Sequence, residues 1–219
     1  LTTPTIKSDK IVYNIPKIVP GTYQIYDFGQ YAMDFEAFDS LGRSLSVTQL
    51  DNEDIIITWE KNDDVYMRVF TGGAGGADIQ VNTTTSGDHE DPDITSLNDG
   101  SFVVTWTYDS GSNENILAQR YDSNANKVGG EITVNTHTSN DQRLAQITAL
   151  VSGGFVVSWQ SESQDGDDWG TYFQIFDENG IKVGSETLIN TTTNIYYFNA
   201  GLWFADSSRG NLWVTAYFF

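Results

Sequence analysis

Gly154-Phe155-Val156-Val157-Ser158-Trp159 decides how this chain is read, because its pattern is written three times. It returns as Phe102-Val103-Val104-Thr105-Trp106 and as Ile55-Ile56-Ile57-Thr58-Trp59, with the tryptophans 47 and then 53 residues apart. A short segment leads into each copy: Val47-Thr48-Gln49-Leu50, Ile94-Thr95-Ser96-Leu97 and Ile147-Thr148-Ala149-Leu150. A later segment closes each copy: Met67-Arg68-Val69-Phe70, Ala118-Gln119-Arg120-Tyr121 and Phe173-Gln174-Ile175-Phe176. Turn residues follow, namely the glycine run from Gly72 to Gly76, Asp122 to Asn126, and Asp177 to Gly180. Asp, Asn and Gly are what tight hairpins demand. A last strand then reaches Asn82-Thr83, Asn135-Thr136 or Asn190-Thr191.

Each unit therefore predicts four short strands in about 50 residues. Phe102, Val104, Trp106 and Tyr108 alternate with Val103, Thr105 and Thr107. A period of two predicts a sheet packed mainly on one face, with Val103 and Val156 marking a strand start buried on both. A four-stranded meander cannot bury its apolar face alone. Set radially, such sheets cover one another and leave only short edges. The expected fold is all-β, a β-propeller-like array of about four blades, with repeated β-sandwich units as the alternative. The repeats run about 45–85, 93–138 and 146–192, and a partial unit at 195–219 is expected to be completed by 30–44. Residues 1–29, with Pro16 and Pro20, have no counterpart in the repeat and read as an extended arm or the tail of a preceding module.

Composition narrows the partners. Thirty acidic and 11 basic side chains leave a formal charge of −19 in 219 residues. Such a surface repels phosphate backbones and anionic lipid, and attracts cations or basic faces. Cysteine is absent, which excludes disulfides, thiol catalysis and Cys-ligated zinc. No apolar run approaches the length of a membrane-spanning helix, so no membrane insertion is expected. The chain opens on Leu1 with no visible signal peptide, so it is expected to be an excised piece of something longer.

The string Gly154 to Ser161, then Gln164-Asp165-Gly166, Phe173 to Gly180, Val183-Gly184-Ser185-Glu186 and Asn190-Thr191 resembles a repeat of very large bacterial secreted and surface proteins, some adhesin-like with haemolysin-type calcium repeats. It is similar also to repeats of ciliate surface proteins with cadherin-like modules. The resemblance covers roughly residues 45 to 216. It implies a propeller-like fold, an extracellular or cell-surface setting, and a role in adhesion or surface structure, with copies of itself or neighbouring modules as partners.

Candidate sites are few. Asp165, Asp167 and Asp168, with Gly166 for a sharp turn, could hold Ca²⁺ through carboxylate oxygens, or could be a solvated acidic loop. Trp169 beside that loop is the candidate platform for a glycan, whereas Trp59, Trp106 and Trp159 fit a core face. Asn82 and Asn190 stand in Asn-Thr-Thr sequons for N-glycosylation; the plainer reading is that Asn-Thr ends the fourth strand. His89 and His137 are the only imidazoles and occupy unmatched positions. No Gly-x-Ser-x-Gly elbow is present. Paired carboxylates for glycoside cleavage cannot be singled out among 30 acids. The sequence thus leads to the expectation of a non-catalytic structural or adhesive module, ahead of a lectin-like propeller and of a glycan-active enzyme.

Overall fold

The computed structural model describes residues 54–72 and 74–190 in full, together with backbone strand pairing at 37–38, 44–49, 198–206 and 211–218. The chain is all-β, and its sheets are propeller-like blades. The first sheet runs β1 (Ala37–Phe38), β2 (Ser44–Gln49), β3 (Ile55–Lys61), β4 (Asp64–Thr71) and β5 (Ala74–Gly75), with β6 (Ile79–Gln80) also on β4. The second holds β7 (Asp88–Ser96), β8 (Phe102–Asp109), β9 (Glu114–Tyr121) and β10 (Lys127–Thr133) in chain order. The third repeats this with β11 (Gln142–Ala149), β12 (Phe155–Glu162), β13 (Trp169–Phe176) and β14 (Lys182–Leu188). β15 (Phe198–Asp206) and β16 (Asn211–Phe218) form a two-stranded pair. Every pairing is antiparallel.

β1 belongs to the stretch that the sequence assigns to the last unit. It pairs with β2, through Ala37↔Leu45 and Phe38↔Ser44. A hairpin over a few residues closes at far lower entropic cost than a pairing across the whole chain. The rest of residues 1–43 lies outside the described residues.

Blade packing buries both faces of β8, beyond the strand start where the sequence placed two-sided burial. Phe102, Val104 and Trp106 pack on Ile56, Val65, Met67 and Val81 of the first blade. Val103, Ile116, Ala118 and Val134, on the opposite face, pack on Phe155, Val157 and Trp159 of the third. The second and third blades thus each lay an aromatic face on the aliphatic face of the blade before. Thr105 and Thr107 are buried as well, because the second blade has a neighbour on both sides. Phe102 stacks on Tyr121 at 4.9 Å, and Phe155 on Phe176 at 4.8 Å, repeating one geometry in successive blades.

Two devices account for the remaining repeat motif. Gly129 (φ 73°) and Gly184 (φ 72°) sit at a break in register on the outer strand, and the amides of Gln119 and Gln174 donate to the carbonyls exposed there, including Val128 O and Val183 O. The bulge twists an exposed edge and makes it a poor template for further pairing. The outer strand then reaches back to the preceding blade. Glu131 accepts from Thr83 N, and Glu186 accepts from Thr136 N (2.6 Å) and His137 N (3.1 Å). Lys127 and Lys182 donate to Thr83 Oγ1 and Asn135 O respectively. The Val-Gly-x-Glu and Asn-Thr signatures are the two halves of one brace between blades.

Asp93 is where three blades meet. Its Oδ1 accepts from Ile94 N (2.9 Å), its Oδ2 accepts from Ile147 N of the third blade (2.9 Å), and Ser46 Oγ of the first blade donates to the carbonyl of the adjoining Pro92 (2.7 Å). Burial pushes this carboxyl from 3.8 up to about 6, against the pull of the bonds it accepts. The folded chain therefore binds the extra proton between those two pH values, and stability falls as pH rises through that window and levels off above it. Asp93→Asn is expected to remove this slope: relative to the variant, the parent should lose about 1 to 3 kcal/mol of unfolding free energy between pH 4 and pH 7. Urea denaturation at several pH values measures it, and parallel curves for the two proteins would refute the assignment.

Candidate functional site

In an antiparallel blade the start of the first strand, the end of the second and the start of the third share one rim. At the junction of the first two blades this rim forms an open cleft of about 430 Å³ lined by Glu60, Lys61, Asn62, Asp63, Asp88 and Glu90. The β3–β4 hairpin supplies four of these residues. Asn62 (φ 53°) and Asp63 (φ 65°) are both left-handed, as a two-residue hairpin matched to strand twist requires. Lys61 directs its ammonium to Asp78 (3.6 Å) and the Tyr66 ring (5.3 Å), so the carboxylates dominate the cavity.

The other wall is the start of β7. Register breaks there between Glu90 and Asp93, with Asp91 at φ 49°. The same break recurs in β11 between Arg143 and Gln146, with Leu144 at φ 56°. Left-handed backbone at non-glycine residues costs about 1–3 kcal/mol and is retained where the surroundings enforce it. Here Asp91 N donates to Glu60 Oε1 at 2.6 Å, tying the bulge to the hairpin opposite. Glu90 and Arg143 occupy equivalent positions of the repeat, so the two blades present opposite charges at the same bulge.

The electrostatics single out Glu90. Burial, a hydrogen bond with Asp88, and repulsion from Asp88, Asp91 and Glu60 push its carboxyl from 4.5 up to about 7. Asp91 is also raised, by burial and by Glu60, with Arg143 opposing. A carboxyl that keeps its proton near neutrality in a polar cleft can deliver that proton to a leaving oxygen.

The residues nominated from sequence fall elsewhere on the rim. Asp165 Oδ1 accepts from Asp167 N (3.2 Å) and Asp167 Oδ1 accepts from Asp168 N (3.0 Å), so these carboxylates brace their own loop. Among the described residues no group of three His, Cys, Asp or Glu side chains converges as a metal centre. Trp169 is half-buried and carries the Arg143 guanidinium over its ring at 3.9 Å. Trp106 and Trp159 are core residues. Asn82 and Asn135 are buried, and with Asn190 they form a ladder in which each Oδ1 accepts from a third-strand amide: Val65 N (2.9 Å), Ile116 N (2.8 Å) and Thr171 N (2.7 Å). The Asn82 Nδ2 that a glycan would need already donates to Asp64 Oδ1 (2.6 Å) and Thr84 O (2.7 Å).

Glu60, Asp88 and Glu90 escaped sequence reasoning. A signal was available: where the third repeat reads Asp141-Gln142-Arg143-Leu144, the second reads Asp88-His89-Glu90-Asp91. Charge reverses at one repeat position, and the cavity lies there.

Residues 1–86 match the family model of the Peptidase M61 N-terminal domain. No curated protein matches the chain by sequence. The fold is similar to that of an endo-arabinase from Bacteroides thetaiotaomicron VPI-5482, with a TM-score of 0.52 and 10% identity over 78% of this chain and 73% of that one. It is similar also to an α-L-arabinofuranosidase from Lactobacillus brevis, with a TM-score of 0.50 and 9% identity over 70% of this chain and 54% of that one. The likeness is one of fold. These findings overturn the resemblance to calcium-repeat surface proteins and, with it, the expectation of a non-catalytic structural or adhesive module. The physical reason lies in the motif that carried the resemblance: Val-Gly-x-Glu and Asn-Thr serve blade packing and say nothing about the work of the protein.

Asn82→Ala should leave Val65 N unpaired in the interior and cost about 1–3 kcal/mol, measured by urea denaturation. An unchanged denaturation midpoint would mean that the ladder holds nothing.

Proposed function

We propose that this chain is the propeller-like part of a glycan-active enzyme that cleaves a glycosidic bond in a neutral polysaccharide. The observation that carries the reading is Glu90, held near pH 7 in a polar cavity among further carboxylates, on a fold similar to those of an endo-arabinase and an α-L-arabinofuranosidase. Glycoside cleavage uses two carboxyl groups flanking the scissile bond. Glu90 supplies the proton to the departing oxygen as the C–O bond breaks. Glu60, on the facing hairpin, is the carboxylate that attacks the anomeric carbon or activates the attacking water, whereas Asp88, hydrogen-bonded to Glu90 itself, lies too close to it to flank the bond. The acidic rim disfavours anionic sugars, which points to neutral polymers, with arabinan the first to test. An extracellular or cell-surface setting accompanies this reading, because such polymers do not cross membranes.

Reducing-sugar release from arabinan should fall about 10² to 10⁴-fold in Glu90→Gln with the unfolding midpoint unchanged. In the parent, kcat/KM should decline as pH rises through about 7, because only the protonated acid is competent. A Glu90→Gln protein that retains the parent rate would sink the reading, as would the absence of hydrolysis of any neutral glycan by the intact protein.

A further inference from the structure

We propose that His89 is the positioning residue of this cavity: its main-chain and imidazole N–H groups both hold the Asp63 carbonyl, clamping the Glu60–Asp63 hairpin against the strand that carries Asp88 and Glu90. The inference takes the cavity to be the one described above and concerns how its two walls are kept together.

His89 is fully buried, although its neighbours on either side line the cavity. Its backbone N–H donates to Asp63 O at 3.0 Å, and Nδ1 lies 2.8 Å from the same oxygen. A carbonyl only accepts, so the proton sits on Nδ1 and both lone pairs of that oxygen are engaged. The ring stacks on Tyr108 of β8 at 4.9 Å, which fixes its orientation, and Nδ1 stands 3.9 Å from Asp64 Oδ1. Nε2 is buried with no hydrogen-bond partner, so the ring is held by its Nδ1 edge and its faces. The hairpin so gripped turns through two consecutive left-handed residues, Asn62 and Asp63.

The neighbouring repeat shows that this grip is not general to the fold. Gln142 stands where His89 does, also fully buried, and spends its amide on Ser139 O (3.0 Å) and Asn140 O (3.2 Å) of its own loop. The hairpin facing it is tied to the third blade by Glu114 N on Asp141 Oδ1 (3.1 Å) and Asn113 Nδ2 on Thr138 O (3.2 Å), neither of which involves Gln142. Among the described blades, the double clamp occurs at the junction that holds Glu90. Released, the hairpin would carry Glu60 away from Asp91 N, where it now sits at 2.6 Å, and widen the cleft around Glu90. The groups around Glu90 are then Asp88 and Asp91 on its own strand and Glu60 on the hairpin, and the hairpin's share of burial and repulsion is lost.

Carboxyl ¹³C NMR titration of Glu90 tests this without reference to turnover, so the loss of the clamp and the loss of the glycan reading are separate results. In the parent the midpoint should lie near 7. In His89→Ala it should fall by about one pH unit, as desolvation and like charge are relieved. His89→Asn, whose Nδ2 can stand in for Nδ1, should restore the parent value. A folded His89→Ala protein with an unmoved Glu90 midpoint would overturn the clamp. Equal shifts in the Ala and Asn variants would do so too, because ring volume rather than the donor would then be responsible. Imidazole ¹⁵N shifts of the parent need no variant to fold: the Nδ1–H tautomer is expected, and the Nε2–H tautomer contradicts the proposal.

Discussion

The contact of one blade's aromatic face with the aliphatic face of the blade before it is the interaction on which the rest of this molecule depends. Trp106 and Trp159 are each almost completely buried, and each reaches that state only when a neighbouring sheet covers it. Fully burying a side chain of this size contributes several kcal/mol, and truncating it to alanine typically costs about 3–5 kcal/mol. A lone blade would expose both of its faces. The repeat is therefore a packing unit that is incomplete alone, and its stability comes from junctions rather than from sheets.

The junctions also carry the polar chemistry. At the outer strand Glu131 and Glu186 reach the Asn-Thr end of the preceding blade, and at the inner strand Pro92 and Asp93 join the second blade to Ser46 and Ile147. Every such tie crosses from one repeat to the next, between residues about 45 to 55 positions apart. The cavity is built on the same principle. Neither the β3–β4 hairpin nor the start of β7 encloses anything alone; Glu60 meets Asp91, and His89 meets Asp63, because two blades are pressed together above them. Pressing acidic rims together removes water from Glu90 and brings like charges near it, which pushes this carboxyl up to about 7.

Motifs that repeat and motifs that break the repeat carry different information here. Gln119 and Gln174 fill the same bulge, and Asn82, Asn135 and Asn190 cap the same strand position, so their recurrence reports the backbone they satisfy. An N-glycosylation sequon and a surface-protein signature both arose from such residues. The chemistry proposed for this chain stands where copies differ: His89 against Gln142, Glu90 against Arg143.

Read alone, the residue order was enough for the class of fold, the strand content of each unit and the burial of Trp106 and Trp159, because a period of two and hairpin turn residues are local properties written within a few positions. It was also enough to exclude thiol chemistry. It could not show that Val103 and Phe102 serve two different interfaces, that Ala37–Phe38 sits beside β2, or that Glu60, Asp88 and Glu90 share one cavity. Those facts depend on which sheet lies against which. A carboxyl's proton affinity is set by the water it loses and the charges it meets, and both are decided only when distant segments come together in space.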